Sequence, residues 1–373
     1  MRFSSEKDGT GTGKQTERGL VAMAKNKNLR TKILLIFSAI ILLLAFLFVP
    51  VPYYLEMPGS AESISDYIKI NGKKDKQKGK YMLVYVSICR ATPASFLASF
   101  FMPFTERLSK SELLGDSNAK EYDMVQQYYM DDAVNEAQYV ALKKAGKRVS
   151  RKYVGMYVMS VAENSNFKNK LQVGDVVTAI DGRHYDSSQE FIKSISKCRK
   201  GKEITVTYLH NGKSKQAKGQ TIMLDSVNRA GIGITLADRT EVSSPIKVSA
   251  DMEGIGGPSA GLMMTLAIYQ QVTGFNLRQG QKVAGTGTMN ADGSVGDIGG
   301  IDKKVVSSSK AGAKIFFAPN NPVSKAEKEY DKNAKTNYQE AVSTAKKIKT
   351  KMKIVPVKSF DDAVRYLEKH KIN

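Results

Sequence analysis

The sequence predicts an α+β chain in which compact units follow a single N-terminal transmembrane helix. Three observations carry that reading. Residues 33–49 form an uncharged apolar run. The middle of the chain holds short strand signals, one closing at the turn His210-Asn211-Gly212. The last third alternates strand and helix patterns around glycine-rich turns. A length of 373 residues suits two or three such units.

Lysine and arginine number 57 against 36 acidic residues, a net charge of +21. The lysines are scattered and no basic stripe alternates with aromatics, so nucleic acid is not an expected partner. An anionic membrane or cell wall suits the charge better. Cys89 and Cys198 are the two cysteines and read as buried free thiols. The three histidines are far apart, which argues against a Ser-His-Asp triad. No metal and no cofactor are expected.

Residues 1–32 read as a disordered, basic cytoplasmic tail. Gly9-Thr10-Gly11-Thr12-Gly13-Lys14-Gln15 imitates a phosphate loop, but Asp8 and Gln15 stand where glycine and Ser/Thr are needed. Residues 33–54 read as a retained anchor. Its 17 apolar residues extend about 25 Å as a helix, and residues 50–54 complete the crossing. Lys25, Lys27, Arg30 and Lys32 before it and Tyr53-Tyr54 after it put the N-terminus in the cytoplasm and the rest outside the cell. A cleaved secretory signal is the rival, with Pro58-Gly59-Ser60-Ala61 as its small residues.

Residues 55–150 form an α+β segment expected to pack with the last unit. It has strands over 64–70 and 81–88 and a helix over 118–144 that stops at Gly146. Residues 151–225 form a β-rich middle unit: strands over 154–161 and 204–209, a turn, strand and second turn within 171–182, and a helix over 188–197. Residues 226–373 form the final unit. Gly231-Ile232-Gly233-Ile234-Thr235-Leu236 and 246–250 open it as strands, a strand over 315–319 follows, and 320–334 reads as a charged loop.

The last unit is organised by Gly256-Gly257-Pro258-Ser259-Ala260-Gly261 and the apolar helix behind it. Ser259 is placed at the first turn, where unpaired N–H groups and the helix dipole favour an anion. On its own such a serine is a helix cap. A second stretch changes this: Gly285-Thr286-Gly287-Thr288, then Gly293-Ser294-Val295-Gly296-Asp297-Ile298-Gly299-Gly300-Ile301-Asp302-Lys303-Lys304. The two stretches resemble the catalytic domain of Lon-type serine proteases. The resemblance implies Ser259 as nucleophile, Lys304 rather than Lys303 as general base, and Thr286 as the hydroxyl that orients the lysine.

In the middle unit, Leu171-Gln172-Val173-Gly174-Asp175-Val176-Val177-Thr178-Ala179-Ile180-Asp181-Gly182 resembles PDZ domains of bacterial proteases. That likeness implies an extended peptide added along the domain edge, with Val154, Gly155 and Met156 as its expected binding residues. With the anchor, the whole is similar to membrane-anchored PDZ/Lon-like peptidases on the surface of Gram-positive bacteria, some of which process a signalling peptide.

The resemblance implies peptide-bond hydrolysis through an acyl-enzyme. An unperturbed lysine is about 0.04% neutral at pH 7, so Lys304 must be desolvated, at roughly 4 kcal/mol for three pKa units. Ile298, Ile301 and Val305 are suited to this, while Asp297 and Asp302 are expected to point away. The backbone N–H groups of Ser259 and Ala260 are the expected oxyanion donors. The full-length family's phosphate loop is missing, and Gly254-Ile255-Gly256-Gly257 replaces an acidic residue before Gly-Pro-Ser. ATP-independent cleavage of exported peptides or unfolded protein segments is therefore expected. The alternative is a tethered PDZ adaptor with an inactive protease domain. Oligomeric state stays open.

Overall fold

The computed structural model describes residues 31–115, 117–224 and 228–370, so most of the expected cytoplasmic tail lies outside the described residues. Helix α1 (Thr31–Phe48) is 18 residues long, apolar enough to cross a membrane, and none of its residues is buried in the protein. It extends about 27 Å. It is shorter at its end than the 33–54 span expected. Pro50 and Pro52 cannot continue a helix, and Tyr53-Tyr54 belong to a strand.

The remaining elements are, up to the middle unit, β1 (Tyr53–Ser63), β2 (Ile68–Ile70), β3 (Lys80–Arg90), α2 (Pro93–Ala98), β4 (Glu106–Ser109), α3 (Lys110–Leu114) and α4 (Ala119–Lys144). The middle unit supplies β5 (Ser150–Val161), β6 (Val176–Ile180), α5 (Ser188–Ser196), β7 (Glu203–His210), β8 (Lys213–Gln220) and β9 (Ile222–Leu224). After β10 (Arg229–Gly231), β11 (Ile234–Ser243) and β12 (Val248–Ala250) come α6 (Gly261–Thr273), β13 (Lys282–Gly285), β14 (Thr288–Met289) and β15 (Val295–Gly296). The chain ends with α7 (Ile301–Lys310), β16 (Ile315–Pro319), α8 (Lys325–Tyr330), α9 (Asn337–Lys347), β17 (Lys353–Val357) and α10 (Phe360–Lys369).

A six-stranded sheet in the order β17-β16-β13-β3-β1-β4 joins the N-terminal segment to the last unit. Parallel pairs link β17, β16, β13 and β3, and antiparallel pairs add β1 and β4. Both faces are covered. Tyr81, Leu83, Val283 and Phe317 pack toward α4 and α6, while Met82, Val84, Ala284 and Phe316 pack toward α7 and α9. This period of two follows from alternate side chains leaving opposite faces of a strand. The continuous apolar string Ile-Phe-Phe-Ala-Pro of β16 reflects burial on both.

The middle sheet runs β11-β5-β6-β7-β8 around its own core of Val158, Phe167, Val177 and Val206. Two expectations change here. The strand at 234–236 does not open the last unit: β11 pairs along β5 from Ile234↔Val161 to Ser243↔Ser150. Nor is Met156 open to an added peptide. Gly155 and Met156 pair with Arg239 and Asp238 on one side, and Met156 pairs with Val177 on the other. A residue paired on both edges has no free backbone groups to offer. The edges of this sheet are β11 and β8.

Helix α4 braces the two sheets. Its buried Ala133, Ala137 and Ala141 lie in the core shared with α6. Toward the middle sheet, Tyr128 stacks on Tyr157 at 4.4 Å, Asn135 Nδ2 donates to the Thr240 carbonyl at 2.9 Å, and Arg151 Nε donates to Glu136 at 2.6 Å.

Smaller differences have local causes. Residues 64–66 coil into a 3-10 turn before β2, and α8 forms inside the expected loop 320–334 with a Ser324/Glu327 capping box. Cys89 is exposed and Cys198 only partly covered, because Cys89 lies on the exposed end of β3.

Candidate active site

Ser259 stands two residues before α6, outside its first turn, with Ala260 as the N-cap residue and no side-chain capping bond. Its hydroxyl is engaged elsewhere: Lys304 Nζ lies 2.6 Å from Ser259 Oγ. Lys304 reaches it from α7, on the other face of the sheet. Ile301, Lys304, Val305 and Ser308 share one side of that helix at three- and four-residue spacing, and all are buried. The spacing that anchors the helix therefore also carries the amine into the protein.

Thr286, fully buried after β13, joins the two. Lys304 Nζ donates to Thr286 Oγ1 at 3.2 Å, and Thr286 Oγ1 donates to the Ser259 carbonyl at 3.0 Å. Gly287 N also donates to that carbonyl, at 2.9 Å, and Leu262 N returns a bond to Gly287 O at 3.0 Å. Gly261 permits this closeness, since a Cβ there would come within 2.6 Å of Met289 N. Gly300 begins α7 with φ of +65° and lies against Glu56, where a Cβ would meet Oε1 at 2.7 Å.

Burial lowers the Lys304 pKa from 10.5 to about 8, and Glu56 opposes that shift. Asp302 turns to Lys303 at 3.4 Å, and Asp297 accepts from Asn321 Nδ2 at 3.0 Å. Lys303 instead sits among carboxylates, 3.0 Å from Glu106 and 3.5 Å from Glu56. Among the described residues the backbone N–H groups of Ser259 and Ala260 have no hydrogen-bond acceptor. Both lie beside the N-terminus of α6, where a developing negative charge is favoured.

The serine opens into a cleft of about 660 Å³, bounded by Gly254–Ser259, Gly299-Gly300, β1, β3 and α4. Sequence reasoning missed Glu56 and Gln126. Gln126 O accepts from Gly257 N at 2.8 Å and so fixes the loop before the serine. Neither lies in a motif. The one available signal was Leu55-Glu56-Met57-Pro58-Gly59, an acidic residue in an otherwise uncharged stretch.

Residues 132–220 match the PDZ domain family, and residues 229–368 match the Lon protease C-terminal proteolytic domain. The chain carries a PDZ domain and a Lon-type proteolytic domain. Both Ser259 and Lys304 fall within the Lon-type match. That match begins at residue 229, the first residue of β10, although β11 belongs to the PDZ sheet.

Among curated proteins the chain is similar to the Lon proteases of Acinetobacter baumannii, 30% identical over 33% of this chain and 15% of that protein, and Citrifermentans bemidjiense, 34% over 28% and 13%. That of Chloroflexus aggregans is 29% identical over 29% of this chain and 11% of the relative. The chain thus spans 11–15% of the length of these relatives. A solved PDZ domain of an SdrC-like protein from Listeria monocytogenes is 40% identical, covering 23% of this chain and 90% of its own, with a TM-score of 0.22.

Proposed function

We propose that this chain is an ATP-independent serine endopeptidase with a Ser259–Lys304 dyad, held at the cell membrane by α1 with its catalytic domain outside the cell. The observation that carries the reading is the 2.6 Å contact between Lys304 Nζ and Ser259 Oγ, formed by a fully buried amine. Neutral Lys304 takes the proton as Ser259 Oγ attacks the scissile carbonyl. The Ser259 and Ala260 amides receive the oxyanion, and Thr286 holds the amine in line. Protonated Lys304 then donates to the departing amine, leaving an ester on Ser259. A water, deprotonated by the same lysine, hydrolyses that ester and restores both residues.

The substrates in this reading are exported peptides and flexible protein segments, which thread an open cleft without being unfolded. The PDZ domain presents them through strand addition along β11, its edge beside α5, where Ser188 N donates to Asp238. The basic residues before α1 favour a cytoplasmic N-terminus.

The test compares Ser259→Ala and Lys304→Ala with the parent chain. Each variant is expected to fold and to lose peptide hydrolysis by on the order of 10²–10⁴-fold or more. A serine-reactive phosphonate is expected to label Ser259 in the parent. Undiminished turnover in Lys304→Ala would reject the dyad, and absent labelling would favour a tethered adaptor with an inert protease domain.

A further inference from the structure

Beyond α1, large exposed apolar side chains gather at one place. Leu97, Phe100, Phe101 and Met102 keep 56%, 60%, 90% and 42% of their surface accessible. Exposed apolar residues are ordinarily scattered singly, and a contiguous group marks a contact surface. This one is held firmly. Thr92 and Ser95 form a capping box at the start of α2, and Ser99 Oγ donates to the Phe96 carbonyl at 2.6 Å. The Phe96 ring lies 4.7 Å from Tyr53 and 5.6 Å from Phe100. Arg107 sits 4.3 Å over the Phe100 ring and donates to the Ser99 carbonyl.

The position of the group says what covers it. Residues 49–52 join α1 to β1, and four residues reach at most about 14 Å. That short link is tied to the same corner of the domain. Val51 N donates to Ala91 O at 2.8 Å, Ala91 N to Tyr53 O at 2.9 Å, and Lys110 N to Pro52 O at 3.0 Å. The aromatic tips therefore project beside the point where the apolar helix ends. Arg90 and Lys110, both exposed, flank them. Apolar tips with a cationic border suit the boundary between acyl chains and anionic headgroups.

We propose that Leu97–Met102 is a second membrane contact, whose apolar tips enter the interfacial zone of the bilayer that α1 crosses and hold the catalytic domain against the surface. The inference rests on α1 being a membrane span. It also deepens the proposed function. Glu56 pairs with Ile88 and Glu106, three residues along β1 from Tyr53, and all three line the cleft. At about 3.3 Å per residue the cleft begins roughly 10 Å beyond the tied corner. Peptide segments lying on the bilayer are then the favoured substrate class.

The test uses the full chain, with Cys89→Ser and Cys198→Ser, in phosphatidylcholine–phosphatidylglycerol vesicles. An environment-sensitive fluorophore is attached at Phe101→Cys, at Leu97→Cys as a second position, and at Leu42→Cys as a reference within α1. The expected result is a blue shift at 101 and 97, with several-fold stronger quenching by headgroup-level than by bilayer-centre nitroxide lipids. Water-like emission quenched by aqueous iodide would overturn the proposal. So would shielding that disappears when the protein is diluted in excess lipid, which would mean that a second copy covers the patch. The Leu42→Cys probe separates the premise: if it too stays aqueous, the span itself is wrong.

Discussion

Glu56 stands 3.5 Å from Lys303, and this pairing divides two lysines adjacent in sequence. Burial works against the Lys303 charge, but Glu106, Glu56 and Asp302 outweigh it and raise its pKa. Lys304, one residue on, is turned into the protein and lowered to about 8. One lysine is held charged among carboxylates, and the other is the base of the proposed mechanism.

The pH dependence of turnover follows. At pH 7 about a tenth of Lys304 is neutral. The kcat/KM profile is expected to rise about tenfold per pH unit and level off near 8. Glu56 favours the charged amine, so Glu56→Gln is expected to move that limb to lower pH. A flat profile between pH 6 and 9 would exclude Lys304 as the titrating base.

In the proposed mechanism Thr286 acts on the lysine's direction rather than its charge. Thr286→Val removes the bonds to Lys304 and to the Ser259 carbonyl. A loss of about 1–2 kcal/mol corresponds to roughly a tenfold fall in kcat or somewhat more. Thr286→Ser is expected to restore most of it. An impaired Thr286→Ser beside an unimpaired Thr286→Val, read by single-turnover kinetics, would mean that the methyl group and not the hydroxyl matters.

Where α4 meets the middle sheet, Asp132 accepts from Thr240 Oγ1 at 3.2 Å. Burial, reinforced by Glu136, raises its pKa from 3.8 to about 6, against the opposing Thr240 bond and Arg151. The folded state therefore binds the extra proton between these values, and stability falls as pH rises from about 4 to 6. Asp132→Asn is expected to remove that slope and to gain about 3 kcal/mol at pH 7. Denaturant titrations at several pH values measure it, and an unchanged slope would place the titration elsewhere.

Strand addition on the PDZ domain is expected to protect the amides of β11 around residues 234–238 from hydrogen exchange. Those of Met156 and Tyr157, paired at both edges, should change little. The reverse pattern on adding peptide would refute the β11 site.

The residues of the candidate site that were legible in the sequence share a property. Ser259, Thr286 and Lys304 each lie within a short string whose glycines and apolar neighbours fix the local backbone. Glu56 and Gln126 were not legible, because β1 and α4 reach the site by packing with segments about 250 and about 130 residues away, which no local pattern records. The PDZ edge shows the same limit. The expected strand over 231–236 is two, broken at Ile232-Gly233 between β10 and β11, and a local pattern identifies a strand's faces and not its partner. That partner, β5, precedes it by three intervening strands of the same sheet. The N-terminal helix ended early for a simpler reason, since hydropathy counts Pro50 and Pro52 as tolerable while helix geometry does not.

Pro58-Gly59-Ser60-Ala61, which could pass for a leader-peptidase site, lies in β1, where Pro58 and Ala61 pair with β3. Cutting there would strip Glu56 and the first half of that strand from the catalytic sheet. Under the proposed function, any shed form that keeps activity must then have been severed upstream of Tyr53, in the proline-bearing link. Release into the medium and destruction of the active centre are separated by only a few peptide bonds.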